Sequence, residues 1–428
     1  MFHLALVAIT CTSFAITCAA QPTTTAPVRP PAAAKQTDQS AFNQSADYST
    51  KHSGRAVLVM HNGEVIFERY DADWTATKPH MLASGTKSFT GVIAMFAVQD
   101  GLLTLDEKVA DTITEWKADK RKREITIRHL LTLSSGLDTA DAAFPSRAER
   151  AGMRVPKNEI TDARSKRIAR EDARTGVSKL ATGNWFKDAL NVPMKYNAGE
   201  QFDYGPSHFY VLGELMNRKL AASHDNKNIK AIEPKTFESY ATARLFEPIG
   251  MHVDRWGKDE AGNVNMPGGM MLTAREWAKF GQFVLQNGAW KQPDGSMKQL
   301  LKPDLLAQCF QPSEHNKAYG LTWWLGGAAR EADGMQPVTT DTRNDTTNPD
   351  TPASTRQRDR IMEEASDTRI TINGKSTPVY MAAGLGKQRL FIVPELNLVV
   401  VRFAEPSREG SKFSNENFLK PIIDQLIP

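Results

Sequence analysis

The chain has 428 residues, 40% of them hydrophobic, and a formal net charge of +4, which is ordinary for a folded protein of one large domain or two. So small a charge argues against a nucleic-acid binder. The basic run Lys117-Ala118-Asp119-Lys120-Arg121-Lys122-Arg123 and the Arg-rich residues 147–174 are broken by acids and lack interleaved aromatics, so they read as solvated helical faces. The nine histidines are scattered without an HExxH and no Cys/His ligand spacing occurs, so neither a metal nor another cofactor is expected.

Residues 1–20 read as an export leader. Residues 2–20 carry no charge apart from His3, residues 4–9 are apolar, and Cys18-Ala19-Ala20 before Gln21 resembles a small-residue cleavage site, although the first residues lack Lys or Arg. Cleavage after Ala20 would give an exported protein, periplasmic or extracellular. Lipidation of Cys18 is the lesser option because Ala15 suits it poorly. The apolar run is too short to leave a stable membrane span. Cys11 and Cys18 lie in this leader, so the mature chain keeps Cys309 alone, expected as a buried packing residue. Residues 21–50, rich in Pro, Thr, Ala and Gln around Pro30-Pro31, are expected to form a disordered linker.

Order is expected from residue 51 on. Val57-Leu58-Val59-Met60 and Val65-Ile66-Phe67 flank Asn62-Gly63, a hairpin signal because both turn positions need positive φ. A helix follows from Ser84, with Val92, Ile93, Phe96 and Ala97 as its apolar stripe and Asp100-Gly101 as its stop. The middle is mainly helical: residues 127–133, 210–216 and 237–246, then 266–285 opening on Pro267-Gly268-Gly269. Strands return at residues 319–326, 390–393 and 398–401, the last two as a hairpin around Pro394-Glu395, and residues 415–426 form a closing helix.

Strands at both ends around a helical middle argue for an α/β (α+β) fold, an antiparallel sheet flanked by helices with an inserted all-α domain. The α/β part is expected at about 51–110 and 270–428 and the α part at about 111–269. An exposed insertion is expected at about 335–372, where Thr, Asp, Asn and Pro are dense.

Ser84-Gly85-Thr86-Lys87 carries the chemistry. Two side chains three residues apart on a helix lie only about 60° apart around its axis and share a face. A serine hydroxyl needs a base before it can attack a carbonyl, and a lysine kept neutral by its surroundings can be one. The helix start adds backbone N–H groups that favour developing negative charge.

The order of hairpin, Ser84-x-x-Lys87, Gly101-Leu102-Leu103-x-Leu105-Asp106 and the run from Ile125 through Arg128-His129-Leu130-Leu131 to Ser135-Gly136-Leu137 resembles the serine β-lactamase-like family. That family holds class C β-lactamases, low-molecular-weight penicillin-binding peptidases, family VIII esterases and 6-aminohexanoate-oligomer hydrolases. The resemblance continues through Gly199-Glu200-x-Phe202-x-Tyr204, Gly268-Gly269-x-x-Leu272-Thr273-Ala274-Arg275 and Val393-Pro394-Glu395, nearly the whole mature chain. It implies a five- or six-stranded sheet with the active site where the sheet meets the helical domain. Tyr204 then corresponds to the family's second motif, a phenol hydrogen-bonded to Lys87 that serves as general base and then acid.

Two departures stand out. Pro206 replaces the Asn or Ser of that motif, with Ser207 and His208 as the nearest polar substitutes. The family's Lys/His-Thr/Ser-Gly strand is replaced by Ala382-Ala383-Gly384, where Ala383 and Gly384 would border the substrate and a backbone N–H would join that of Ser84 as oxyanion hole. The cation is missing there, with Lys387 and Arg389 nearby. The resemblance therefore implies a serine hydrolase acting on a small-molecule or peptide ester or amide. A β-lactamase or D,D-peptidase is the alternative, and a non-catalytic wall-binding homologue a second one. The sequence does not define the oligomeric state.

Overall fold

Asn62 and Gly63 adopt φ of 52° and 84°, and the strands they join, β1 (Gly54–His61) and β2 (Glu64–Tyr70), run antiparallel. The computed structural model describes residues 38–139, 183–223, 225–233, 235–327, 368–405 and 413–427. Four later strands complete the sheet: β3 (Trp324–Gly326), β4 (Val379–Gly384), β5 (Gln388–Val393) and β6 (Leu398–Ala404). The order across this six-stranded sheet is β2-β1-β6-β5-β4-β3, and every pairing is antiparallel. The first hairpin is thus joined to the end of the chain, with Gly54 opposite Ala404 and His61 opposite Leu398.

Both faces of the sheet are covered, which is why Leu390–Val393 of β5 and Leu398–Val401 of β6 read as continuous apolar runs and every position of the two strands is buried. On one face lie α1 (Ser40–Lys51) and the C-terminal helix (Asn415–Leu426), where Phe391 meets Phe418. On the other lies the helix Ala274–Leu285, whose Trp277 stacks on Phe403 at 5.4 Å between ring centroids. Its Phe280 stacks in turn on Phe89 of α2 (Lys87–Gln99) at 3.8 Å, so α2 forms the next layer out. Each fully buried side chain of this size stabilises the fold by about 1.5–3 kcal/mol.

Several elements depart from expectation. The last part of the stretch expected as linker, Ser40–Lys51, is helical, and its Phe42, Ser45, Ala46 and Ser49 are buried. Within residues 319–326 only Trp324–Gly326 pairs as a strand. The stretch from 266 opens not as helix but with Met270–Leu272, the middle strand of a small sheet with His80–Met81 and Arg255–Trp256. The helix expected at 237–246 is α-helical to Ala241 and widens into a π turn over Thr242–Phe246. Of the expected insertion 335–372, residues 335–367 lie outside the described residues, and Ile370–Ile372 forms a strand with two buried isoleucines. Residues 1–20 and 147–174 also lie outside them. Cys309 is fully buried and free, and burial pushes its thiol well above the ordinary value.

Candidate active site

Ser84 sits in a tight 3-10 turn, Ala83–Thr86, that runs straight into α2. The small sheet holds the approach: the Leu82 N–H donates to the Met270 carbonyl at 3.0 Å, and Thr86 Oγ1 donates to the Ala83 carbonyl at 2.8 Å. Ala83 has φ of 48°, a left-handed conformation that a residue with a Cβ seldom adopts, so the chain bends sharply just before Ser84.

Lys87 begins the helix and is buried. Its Nζ donates to Ser84 Oγ at 3.0 Å and to the Pro267 carbonyl at 2.8 Å. The Pro267-Gly268 loop therefore closes over the turn. Lys87 Nζ also lies 4.8 Å from the ring centroid of Tyr204 and 5.5 Å from that of Phe209.

Beyond α2 the chain forms the short helices α3 (Ile127–Leu131) and α4 (Trp185–Leu190), and Tyr204 comes from the loop before the longer α5 (Ser207–Ala222). Burial pushes its phenol up to about 12, while its side-chain contact with Ser84 and the charge of Arg389 act in the other direction. The expected trio of Ser84, Lys87 and Tyr204 is thus brought together, with the Tyr204 side chain beside Ser84 and its ring against Lys87. Trp324 and Tyr319 pack beside Tyr204, at 5.8 and 6.4 Å between centroids, and give it an apolar wall.

The end of β4 abuts the same turn. A Cβ on Gly384 would lie 1.9 Å from the Leu82 carbonyl oxygen, so the absence of a side chain there is what permits the approach. Ala383 is buried beside it. Arg389 is not a cation offered to a substrate: it is fully buried, and its guanidinium donates to the Gly384 and Gln388 carbonyls and to Asn415 Oδ1. The Lys387 carbonyl is held from the same side by Arg402, at 2.8 Å.

The polar residues after Pro206 are also committed. Ser207 Oγ donates to the Asp138 carbonyl at 2.5 Å, and His208 bonds Ser135 and the Asp203 carbonyl. Pro206 itself caps α5 and contributes no side-chain polar group.

The family model described as Beta-lactamase matches residues 40–409. The chain belongs to the beta-lactamase family. Among solved structures, this beta-lactamase family member is similar to the penicillin binding protein from Bacillus halodurans, with TM-score 0.51, 17% identity and coverage of 88% of this chain and 98% of the other. It is also similar to EstCE1, a hydrolase with promiscuous acyltransferase activity, with TM-score 0.53, 14% identity and coverage of 91% and 99%. A curated relative, protein flp of Staphylococcus aureus strain MW2, is 22% identical over 208 residues, covering 46% of this chain. The chain spans about a third of that relative's length, 34%. The shared fold is the β-lactamase and transpeptidase type, and the family is one of serine hydrolases.

Within this family member, sequence reasoning missed the Pro267 carbonyl, since a main-chain acceptor has no side-chain signature. It also missed the link between Ser135 and His208, which lie 73 positions apart. In the strand β5, Arg389 shares a face with Phe391 and is turned to the C-terminal helix. Among the described residues no group of His, Cys, Asp and Glu could hold a metal, and no helix is long and apolar enough to cross a membrane.

Proposed function

We propose that this protein is an exported serine hydrolase that cleaves an ester or amide, of a small molecule or a peptide, through an acyl-enzyme on Ser84. The observation that carries the reading is Lys87 Nζ at 3.0 Å from Ser84 Oγ, with the Tyr204 side chain against the same hydroxyl. An amine that gives one N–H to the Pro267 carbonyl can turn its lone pair toward Ser84 and accept the hydroxyl proton.

Ser84 Oγ then bonds to the substrate carbonyl carbon, whose oxygen becomes an oxyanion. Backbone N–H groups at Ser84 and at the end of β4 are the candidates to hold it. Collapse of this intermediate breaks the bond to the leaving alcohol or amine, which departs with a proton relayed through Lys87 and Tyr204. Water attacks the acyl ester in the second half, gives its proton to the same pair and releases the acid and Ser84. Export rests on the leader character of residues 1–20.

Substrates without a carboxylate to be gripped suit the site best, because Ala383 and Gly384 supply no cation and Arg389 is occupied inside the protein. A panel of short-chain esters, a chromogenic cephalosporin and D-Ala-D-Ala peptides, run beside Ser84→Ala, tests this. Ester turnover that vanishes in Ser84→Ala is expected. Preference for the cephalosporin or the peptides would instead indicate a β-lactamase or D,D-peptidase. No reaction of Ser84 with any substrate or with a fluorophosphonate would indicate a non-catalytic homologue.

A further inference from the structure

His208 stands on the first turn of α5, four residues after Tyr204, and is 1% exposed. Its Nε2 lies 2.8 Å from the Asp203 carbonyl, which can only accept, so Nε2 carries the hydrogen. Its Nδ1 lies 2.9 Å from Ser135 Oγ and, in the neutral ring, accepts the hydroxyl proton. Ser135 Oγ in turn accepts the Leu137 N–H at 3.3 Å.

The Asp203 carbonyl belongs to the same planar peptide unit as the Tyr204 N–H. One imidazole therefore ties the backbone of Tyr204 to the turn after α3. Neighbouring main-chain bonds run the same way: the Asp203 N–H donates to the Leu133 carbonyl and the Gly199 N–H to the Ser134 carbonyl, both at 2.8 Å.

The ring fits only when neutral. Protonated, it would donate from both nitrogens, and the Ser135 hydroxyl hydrogen would lose its acceptor in a buried site. Burial opposes that charge most and holds the ring down to about 4. Of the charged groups facing it, Lys87 on α2 acts in the same direction, while Asp203, itself paired with Lys195 at 3.2 Å, acts in the opposite one together with its carbonyl. The turn after α3 presents the uncharged Ser135.

We propose that His208 is a positioning residue for Tyr204, which it holds to the Ser135 turn as the neutral Nε2–H ring; protonation leaves the Ser135 hydroxyl without its acceptor and strains that turn, so that acid lowers the reactivity of the Ser84 site through a group that never touches substrate. This rests on the reading of Ser84 as nucleophile and Tyr204 as its proton partner.

The test is the pH dependence of Ser84 labelling by a fluorophosphonate, followed in wild type, His208→Gln and Ser135→Ala. A Gln amide can donate to the Asp203 carbonyl and accept from Ser135 without titrating. Wild-type labelling should fall by a further tenfold or so per pH unit once the ring is protonated, beyond the loss that protonation of Lys87 imposes on every variant, and His208→Gln should keep most of the neutral rate and lack that further limb. Ser135→Ala, which removes the hydroxyl that the charged ring would leave without an acceptor, should shift that limb. An acid limb unmoved in either variant overturns the proposal, and Ser135→Ala decides it if His208→Gln does not fold. Ring nitrogen NMR gives a readout that needs no reaction: His208 found as the Nδ1–H tautomer, or charged at pH 6, overturns it as well. A wild-type chain that labels nowhere would defeat the nucleophile reading, and the NMR result would still decide how His208 anchors Asp203.

Discussion

Gly384 meets the main chain of Leu82 so closely that a Cβ on it would stand 1.9 Å from the Leu82 oxygen. The strand end and the Ser84 turn are in backbone contact, two residues upstream of the hydroxyl. Gly384→Ala must push them apart. Overpacking of this kind costs about 1–3 kcal/mol, and the denaturation midpoint should drop accordingly. Fluorophosphonate labelling should slow by roughly tenfold or more, because the groups around an oxyanion act only at hydrogen-bond range. Wild-type values for both would show that the turn yields freely.

Lys87→Met keeps the length of the side chain and removes its amine. The Ser84 hydroxyl and the Pro267 carbonyl both lose a partner. Single-turnover acylation should fall by about 10²–10⁴-fold, the usual range for losing a general base. The melting curve should remain cooperative. Acylation at the wild-type rate would remove Lys87 from the proton path.

Tyr204→Phe isolates the phenol. Burial raises its titration to about 12, so the folded protein holds this proton more tightly than the unfolded chain, where tyrosine titrates near 10. The associated stability is fully present below pH 10 and is lost as pH rises toward 12. Wild type should therefore lose stability faster than Tyr204→Phe above pH 10 in urea titrations. No tyrosine limb should appear in the rate between pH 6 and about 9. Acylation by the variant should drop about 10²–10⁴-fold.

His80 offers a stability test away from the proposed chemistry. Its ring lies against Trp74 at 4.6 Å and Phe403 at 5.2 Å, and burial lowers its titration from 6.5 to about 4, with the Ala404 backbone bond and Glu405 acting oppositely. The folded state prefers the neutral ring. Its contribution is complete above pH 6.5 and is lost as pH falls toward 4, up to about 3 kcal/mol. His80→Phe should lose less stability than wild type over that interval, as read from denaturation midpoints at pH 7 and pH 4. Parallel losses would mean that His80 titrates normally.

The strand pairs and the Ser84 turn were legible because their signals are local. Asn62-Gly63 dictates its turn, and the run Leu398-Val399-Val400-Val401 has no use outside a doubly covered sheet. The helix Ser40–Lys51 was not, because its buried stripe is Phe42, Ser45, Ala46 and Ser49, of which only one is a large hydrophobe. Ser49 is inside because Arg402 needs acceptors, and that demand comes from 353 residues away. The site was legible to the same extent. Ser84 and Lys87 are neighbours in sequence, whereas the roles of Pro267, Ser135 and His208 follow from contacts that only the folded chain makes.

The pairing of β1 with β6 has a consequence for how the molecule is made. Among the described strands of this sheet β6 comes last in chain order, and β1 has an open edge until it arrives. Contacts that span so much sequence make for slow folding, and a nascent chain cannot complete its sheet on the ribosome before residue 404 has emerged. Shortening it by its last strand and helix would remove the centre of the sheet rather than an edge.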